Sequence, residues 1–241
     1  MNPKIGIIGR GFVGNAVFEG FSENDNLSAE LRVFDKDPSK SFNSLEETIN
    51  ESQFIFISVP TPANLDGSIN LDILESLLDD IKNIYNPSNS NIFLIRSTIV
   101  PGTTRKLQEK YKNLDFVFTP EFLREKHANS DFNNQKKCII GGSTKNTSKV
   151  AQLMRWRFGE NLSILQTNFE TAEIIKYMVN TYLATKVSFL NDMKLLNDKI
   201  GSNWDEVIQG FSMDDRIGDS HLDVPGHDGL LGFGGSCFPK D

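Results

Sequence analysis

The residue best suited to covalent chemistry is Cys237, in the stretch GFGGSCFPKD (Gly232 to Asp241). Glycines at 232, 234 and 235 release the backbone from regular structure and can turn successive N–H groups toward a sulfur. A thiolate in such a nest has a lowered pKa, and Lys240 adds to that effect. A lone cysteine is otherwise a small apolar filler, so Cys237 needs partners elsewhere in the chain. Two pairs spaced i, i+4 offer them. In EIIKYMVN, Lys176 and Asn180 put a cation and an amide donor on one helix face, where they can hold an oxyanion. In TPEFLREK, Glu121 and Glu125 would share a face in the first turn of a helix; one of them can orient a water or act as general base. His127, His221 and His227 have no metal-ligand spacing with Cys138 or Cys237, and no metal site is read.

These residues need a scaffold that brings distant segments to one edge. Short apolar runs predict strands at Lys4–Ile8, Leu31–Phe34, Phe54–Val59, Ile92–Arg96, Phe116–Phe118, Cys138–Ile140 and Leu162–Leu165. Amphipathic stretches between them predict helices at about Val13–Glu23, Leu71–Tyr85, Thr103–Tyr111 and Thr147–Phe158. Strand and helix in alternation, with nearly continuous apolar strands, mean α/β: a doubly wound parallel (Rossmann) sheet covered on both faces. After Thr167 the period becomes helical, with no Gly or Pro from Glu160 until Gly201. A helix over about 171–200 would be roughly 45 Å long and would outgrow the sheet domain. It links domains or pairs with a second subunit, and its apolar stripe predicts a homodimer. WDEVIQGF reads as a short helix and 212–241 as loop. The expected domains are 1–167, a dinucleotide-binding domain, and 168–241, a truncated helical central domain for dimerisation and catalysis.

GRGFVG places Gly9, Gly11 and Gly14 in G-x-G-x-x-G between the first strand and a helix opened by Phe12 and Val13. Asp35 follows at the end of the second strand. The first glycine makes the tight turn, the second lets a pyrophosphate reach the backbone, and the third lets helix pack on strand; the helix N-terminus attracts the phosphates. Asp35 would accept hydrogen bonds from ribose hydroxyls and repel a 2′-phosphate, so NAD is favoured over NADP. Lys40 can meet the adenosine end. VPTP brings Pro60 and Thr61, and RSTIVPGT brings Thr98, to the carboxyl ends of the third and fourth strands, where ligands of open sheets gather.

Composition narrows the class further. A net charge of −7 with a pI near 5.1 leaves no basic footprint for nucleic acid. The longest apolar runs are strand-sized, and the N-terminus does not read as a signal peptide. Two cysteines make no disulfide framework, which places the protein in a reducing cytoplasm.

Taken in order, GRGFVG, VPTP, RSTIVPGT, TPEFLRE, EIIKYMVNTYLATKVSFLND, DDRIG and GFGGSCFPKD resemble the nucleotide-sugar 6-dehydrogenases of the UDP-glucose/GDP-mannose dehydrogenase family, most closely its UDP-glucose-oxidising members. The resemblance implies two NAD-dependent oxidations of a sugar's primary alcohol to a carboxylate without release of the aldehyde. It makes Cys237 the nucleophile that carries a thiohemiacetal and then a thioester. It makes Lys176 and Asn180 the oxyanion pair, Asp241 and Thr98 the water-positioning groups, and Glu125 the hydrolytic base with Glu121 nearby. Phe122, Leu123, Arg124 and Arg216 fall at sugar-nucleotide contacts, and Gly234 in the loop beneath. The segment SHLDVPGHDGLLG is longer than in many relatives, and the family continues past this block into a second Rossmann-like domain that the 241 residues do not contain. The alternatives are oxidation of GDP-mannose or a UDP-N-acetylhexosamine, a β-hydroxyacid dehydrogenase that needs no trapping cysteine, and a non-catalytic NAD-binding fragment.

Overall fold

The computed structural model describes residues 2–22, 28–226, 229–235 and 238–240. Its chain divides into two compact units, Met1–Lys176 and Tyr177–Asp241.

The first unit is built on seven strands in the order β2-β1-β3-β4-β5-β6-β7. They are β1 (Lys4–Ile8), β2 (Glu30–Phe34), β3 (Phe54–Ile57), β4 (Ile92–Ile95), β5 (Asp115–Phe118), β6 (Lys137–Gly142) and β7 (Ser163–Thr167). The first five are parallel, as near-continuous apolar sequences demand when both faces are covered. β6 departs from the expected all-parallel arrangement: it pairs antiparallel with β5, and β7 follows it in parallel. Alternate residues of each strand feed two apolar layers. Ile7, Phe56, Leu94 and Val117 lie in the layer that includes Val17, Phe21 and Phe132. Ile8, Ile57, Ile95 and Phe118 lie in the layer that includes Leu74, Leu78 and Leu107.

The helices of this unit are α1 (Phe12–Phe21), α2 (Leu45–Asn50), α3 (Asp72–Ile84), α4 (Thr103–Lys110), α5 (Ala128–Asn133) and α6 (Thr144–Phe158). Two of them, α2 and α5, lie outside the predicted set. α2 begins with a complete capping box, in which Ser44 Oγ accepts from Glu47 N and Glu47 accepts from Ser44 N. α7 (Phe169–Ile200) is one continuous helix of 32 residues, about 48 Å long at the usual rise.

In the second unit, α8 (Trp204–Ser212) starts at Asn203, whose side chain accepts from Asp205 N. The residues after it are held back on α7 from within the unit. Lys186 Nζ donates to the carbonyls of Ile217, Gly218 and Ser220 at 3.1, 3.0 and 2.7 Å. Gly232 N donates to Asn191 Oδ1 at 2.9 Å. No helix among the described residues is long and apolar enough to cross a membrane.

Candidate active site at the carboxyl edge of the sheet

The turn after β1 has the shape a dinucleotide needs. Gly9 has φ +86°, and a Cβ there would lie 2.7 Å from the Ser58 carbonyl oxygen. A Cβ on Gly14 would lie 1.8 Å from the Gly9 carbonyl oxygen, so only glycine lets α1 pack this close to the turn. A Cβ on Gly11 would meet nothing within 4 Å, which leaves the approach to the backbone open. Gly11 is the N-cap of α1 and supplies no side-chain cap, so the first N–H groups of the helix face that opening, where an anion is favoured. Asp35 Oδ2 accepts from Arg10 N at 2.5 Å and Oδ1 from Asp37 N at 2.8 Å, which fixes the carboxylate at the end of β2. Phe12 and Val13 are half-buried in the first turn of α1, and Lys40 is exposed and 3.6 Å from Asp37.

The loops after β3 and β4 are joined by two hydrogen bonds. Ser97 Oγ donates to the Val59 carbonyl at 2.7 Å, and Thr61 Oγ1 donates to the Thr98 carbonyl at 2.7 Å. Thr61 and Thr98, from different motifs, are both buried here, while Pro60 stays exposed. A third tie comes from α7: Glu173 Oε2 accepts from Gly102 N at 2.5 Å, and Oε1 accepts from Thr104 N and Oγ1 at 2.8 and 2.6 Å. Glu173, fully buried, therefore caps α4 from a distant part of the sequence. Burial pushes its carboxyl above the ordinary glutamate pKa, and the three hydrogen bonds pull the other way. Glu173 carries no local signal in the sequence, because its helical neighbours at three- and four-residue spacing, Phe169, Glu170, Lys176 and Tyr177, already include two charged residues.

Glu121 is the carboxylate at the centre of the site. Its Oε1 lies 2.9 Å from Lys176 Nζ, which also donates to the Glu121 carbonyl at 2.5 Å, and Oε2 accepts from Leu123 N at 2.7 Å. Both partners are 4% exposed. Lys176 also lies 5.3 Å from the ring centroid of half-buried Phe122. The expected shared helix face for Glu121 and Glu125 does not form. Residues 119–124 are not helical, and exposed Glu125 begins a 3-10 turn, Glu125–His127. Arg124 is turned to Asp131 instead, with Nε–Oδ2 at 3.0 Å and Nη2–Oδ1 at 2.6 Å; this contact holds Asp131 below the usual carboxylate range.

Asn180 is buried one helical turn beyond Lys176 on α7. Arg216 is exposed and paired with Asp214 at 2.5 Å, and Gly234 is exposed. Cys237 and Asp241 lie outside the described residues. Among the described residues no group of His, Cys, Asp and Glu could hold a metal ion.

With this geometry in view, comparison with known proteins is decisive. Residues 32–158 match the NAD binding domain of the UDP-glucose/GDP-mannose dehydrogenase family, and residues 170–241 match that family's central domain. The chain belongs to this family. Among curated relatives it is 32% identical to a UDP-glucose 6-dehydrogenase of Bacillus subtilis over 206 residues, which is 83% of this chain and 43% of the relative. It is 36% identical over 207 residues to an uncharacterized protein of Methanocaldococcus jannaschii, covering 83% of this chain and 23% of that protein. A UDP-glucose dehydrogenase structure from Pyrobaculum islandicum superimposes with a TM-score of 0.82 at 26% identity, over all of this chain and 62% of that one. The chain thus spans less than half the length of these curated relatives. The family's domain binds NAD, and the turn after β1, the end of β2 and the open α1 N-terminus fit that cofactor.

Proposed function

We propose that this chain carries the NAD-binding and catalytic part of an enzyme that oxidises UDP-glucose to UDP-glucuronate in two steps. The observation that carries the proposal is the buried Lys176–Glu121 pair at the carboxyl edge of a dinucleotide-binding sheet. A buried ion pair is a poor source of stability, so its retention at a ligand edge argues for chemistry. Gly9, Gly11, Phe12, Val13, Gly14, Asp35, Lys40, Pro60, Thr61 and Thr98 are assigned to NAD, which supplies the hydride acceptor for both oxidations.

The protein's own groups then divide the work. The first oxidation takes a hydride and a proton from the primary alcohol and leaves an aldehyde. The Cys237 thiolate adds to that aldehyde, and the resulting oxyanion faces the Lys176 ammonium and the Asn180 amide before taking up a proton. Loss of a second hydride and proton converts the thiohemiacetal to a thioester on Cys237. Water then adds to the thioester carbon, a carboxylate accepts its proton, and the C–S bond breaks to return the thiol and release the acid. Burial beside Lys176 favours Glu121 for that carboxylate over exposed Glu125, with Thr98 and Asp241 positioning the water. Phe122, Leu123, Arg124, Arg216 and Gly234 are assigned to the sugar nucleotide. In the second unit Met178, Tyr182, Phe189 and Leu196 form an exposed apolar stripe on α7, which supports a homodimer.

The test is NADH formation followed in absorbance with UDP-glucose, GDP-mannose and a UDP-N-acetylhexosamine in parallel. UDP-glucose is expected to give two NADH per sugar; NAD binding without NADH from any sugar would overturn the proposal. With Glu121→Gln a Cys237-linked sugar adduct is expected by mass spectrometry, whereas its appearance only with Glu125→Gln would transfer the base role to Glu125.

A further inference from the structure

Between Gly9 and Gly11 the dinucleotide turn carries a cation, Arg10. Its N–H donates to Asp35 Oδ2 at 2.5 Å, so the residue adjoins the carboxylate at the end of β2. Its half-buried side chain lies against α1, where Nε donates to Asn15 Oδ1 at 3.2 Å. The guanidinium carbon stands 4.2 Å from the centroid of the Phe18 ring and 4.7 Å from that of Phe42. The two rings, 5.7 Å apart and tilted by 57°, hold it in the angle between them.

Phe42 belongs to the loop that Asp35 opens, and that loop is closed on itself. Asp35 N donates to Ser41 Oγ at 2.8 Å, Ser41 Oγ donates to the Asp35 carbonyl at 3.1 Å, and Phe42 N donates to the Val33 carbonyl at 2.9 Å. Arg10 therefore meets both ends of one loop, with its N–H at Asp35 and its guanidinium at Phe42, which puts the charge on the ribose side of the turn. Packing alone does not call for an arginine here. An apolar side chain would fill the angle between two phenylalanines as well, and Phe42 stays 61% exposed even with the guanidinium against it. Among the described residues Arg10 forms no ion pair, and its Nη groups donate to none of them. The loop's charges besides Asp35 are Lys36, Asp37 and Lys40, and Lys40 lies 3.6 Å from Asp37.

We propose that Arg10 is a specificity-determining residue of the cofactor site, a preset cation for a phosphate on the adenosine 2′-oxygen that Asp35 overrides in this chain. The two neighbours compete. A carboxylate accepts from ribose hydroxyls and repels a 2′-phosphate, whereas a guanidinium donates paired hydrogen bonds to phosphate. With both present, Asp35 sets the preference for NAD and Arg10 limits how strongly NADP is refused. The proposal rests on the dinucleotide reading of the turn.

Calorimetric titration with NAD and with NADP tests it on the wild-type chain, Asp35→Asn, Arg10→Met and the double variant. Asp35→Asn keeps an amide oxygen for the Arg10 N–H, and Arg10→Met keeps an apolar stem between the rings. Asp35→Asn should strengthen NADP binding by about tenfold or more, and adding Arg10→Met should remove about tenfold of that affinity while NAD binding changes by less than about twofold. Arg10→Lys in the Asp35→Asn background should retain part of the NADP affinity. Equal losses of NAD and NADP binding in Arg10→Met would mark a residue that only holds the loop to α1, and would overturn the proposal. So would NADP binding that Arg10→Met leaves unchanged in the Asp35→Asn background. If Arg10→Met does not fold, Arg10→Gln and Arg10→Lys are compared in its place, and the same ratio of NADP to NAD affinity in both overturns the proposal. A wild-type chain that binds no NAD overturns the dinucleotide reading as well, whereas NAD binding without an effect of Arg10 on NADP overturns this proposal alone.

Discussion

Glu173→Ala should be among the most damaging single substitutions outside the reacting groups. Glu173 is fully buried and receives hydrogen bonds from Gly102 N, Thr104 N and Thr104 Oγ1. Truncation leaves two N–H donors and one O–H donor without an acceptor at the start of α4, at about 1–2 kcal/mol each, for a total of roughly 3–6 kcal/mol. For a unit of this size the unfolding midpoint should fall by roughly 8–15 °C. Glu173→Gln keeps an acceptor oxygen and should cost only about 1–2 kcal/mol. The pH dependence gives a second check. Because burial raises the folded pKa of Glu173, its contribution is full below the ordinary carboxylate range and declines as pH rises through the raised value. The midpoint gap between wild type and Glu173→Gln should therefore be wider near pH 4 than near pH 7. Circular dichroism melts across that range are the assay. A Glu173→Ala midpoint within about 3 °C of wild type would refute the reasoning, as would equal losses in the two variants.

The glycines of the turn separate folding from binding. Gly14→Ala places a Cβ 1.8 Å from the Gly9 carbonyl oxygen and should lower the melting midpoint by several °C, whereas Gly11→Ala should fold normally and weaken NAD binding by calorimetry. Lys176→Met leaves Glu121 without its ammonium partner and should cost about 3–5 kcal/mol in denaturant melts, with part recovered in the Glu121→Gln, Lys176→Met double variant. Asp35→Ser should narrow the preference for NAD over NADP in competitive binding. Cys138, with its thiol pushed up to about 11, should be alkylated at neutral pH about a hundredfold more slowly than a free thiol in peptide-resolved labelling.

The strands and the dinucleotide turn were legible because they depend on local pattern. Apolar runs of strand length, a G-x-G-x-x-G between strand and helix, and an acidic residue ending the next strand are written within tens of residues of one another. The 32-residue span of α7 was legible for a similar reason, since a helical stripe without Gly or Pro has no place to stop. α2 left a readable signal in its S-x-x-E box, but its six residues are too few for periodicity to show. α5, with the sequence ANSDFN, holds its place by burying Ala128 and Phe132, a contact that no local rule contains.

Residue types and order by themselves determined the doubly wound class, the dinucleotide turn and the family resemblance, because each follows from short-range periodicity, backbone freedom and motif spacing. The antiparallel entry of β6 was decided only by the tertiary structure, because strand direction is set by what the connection packs against. The same holds for the separation of Glu121 from Glu125, where a non-helical backbone between them places one carboxylate against Lys176 and leaves the other exposed. Glu173 is the sharpest case. It looks like an ordinary charged residue in sequence, and it takes its meaning from burial beside groups dozens of residues away, where low dielectric makes a charge consequential.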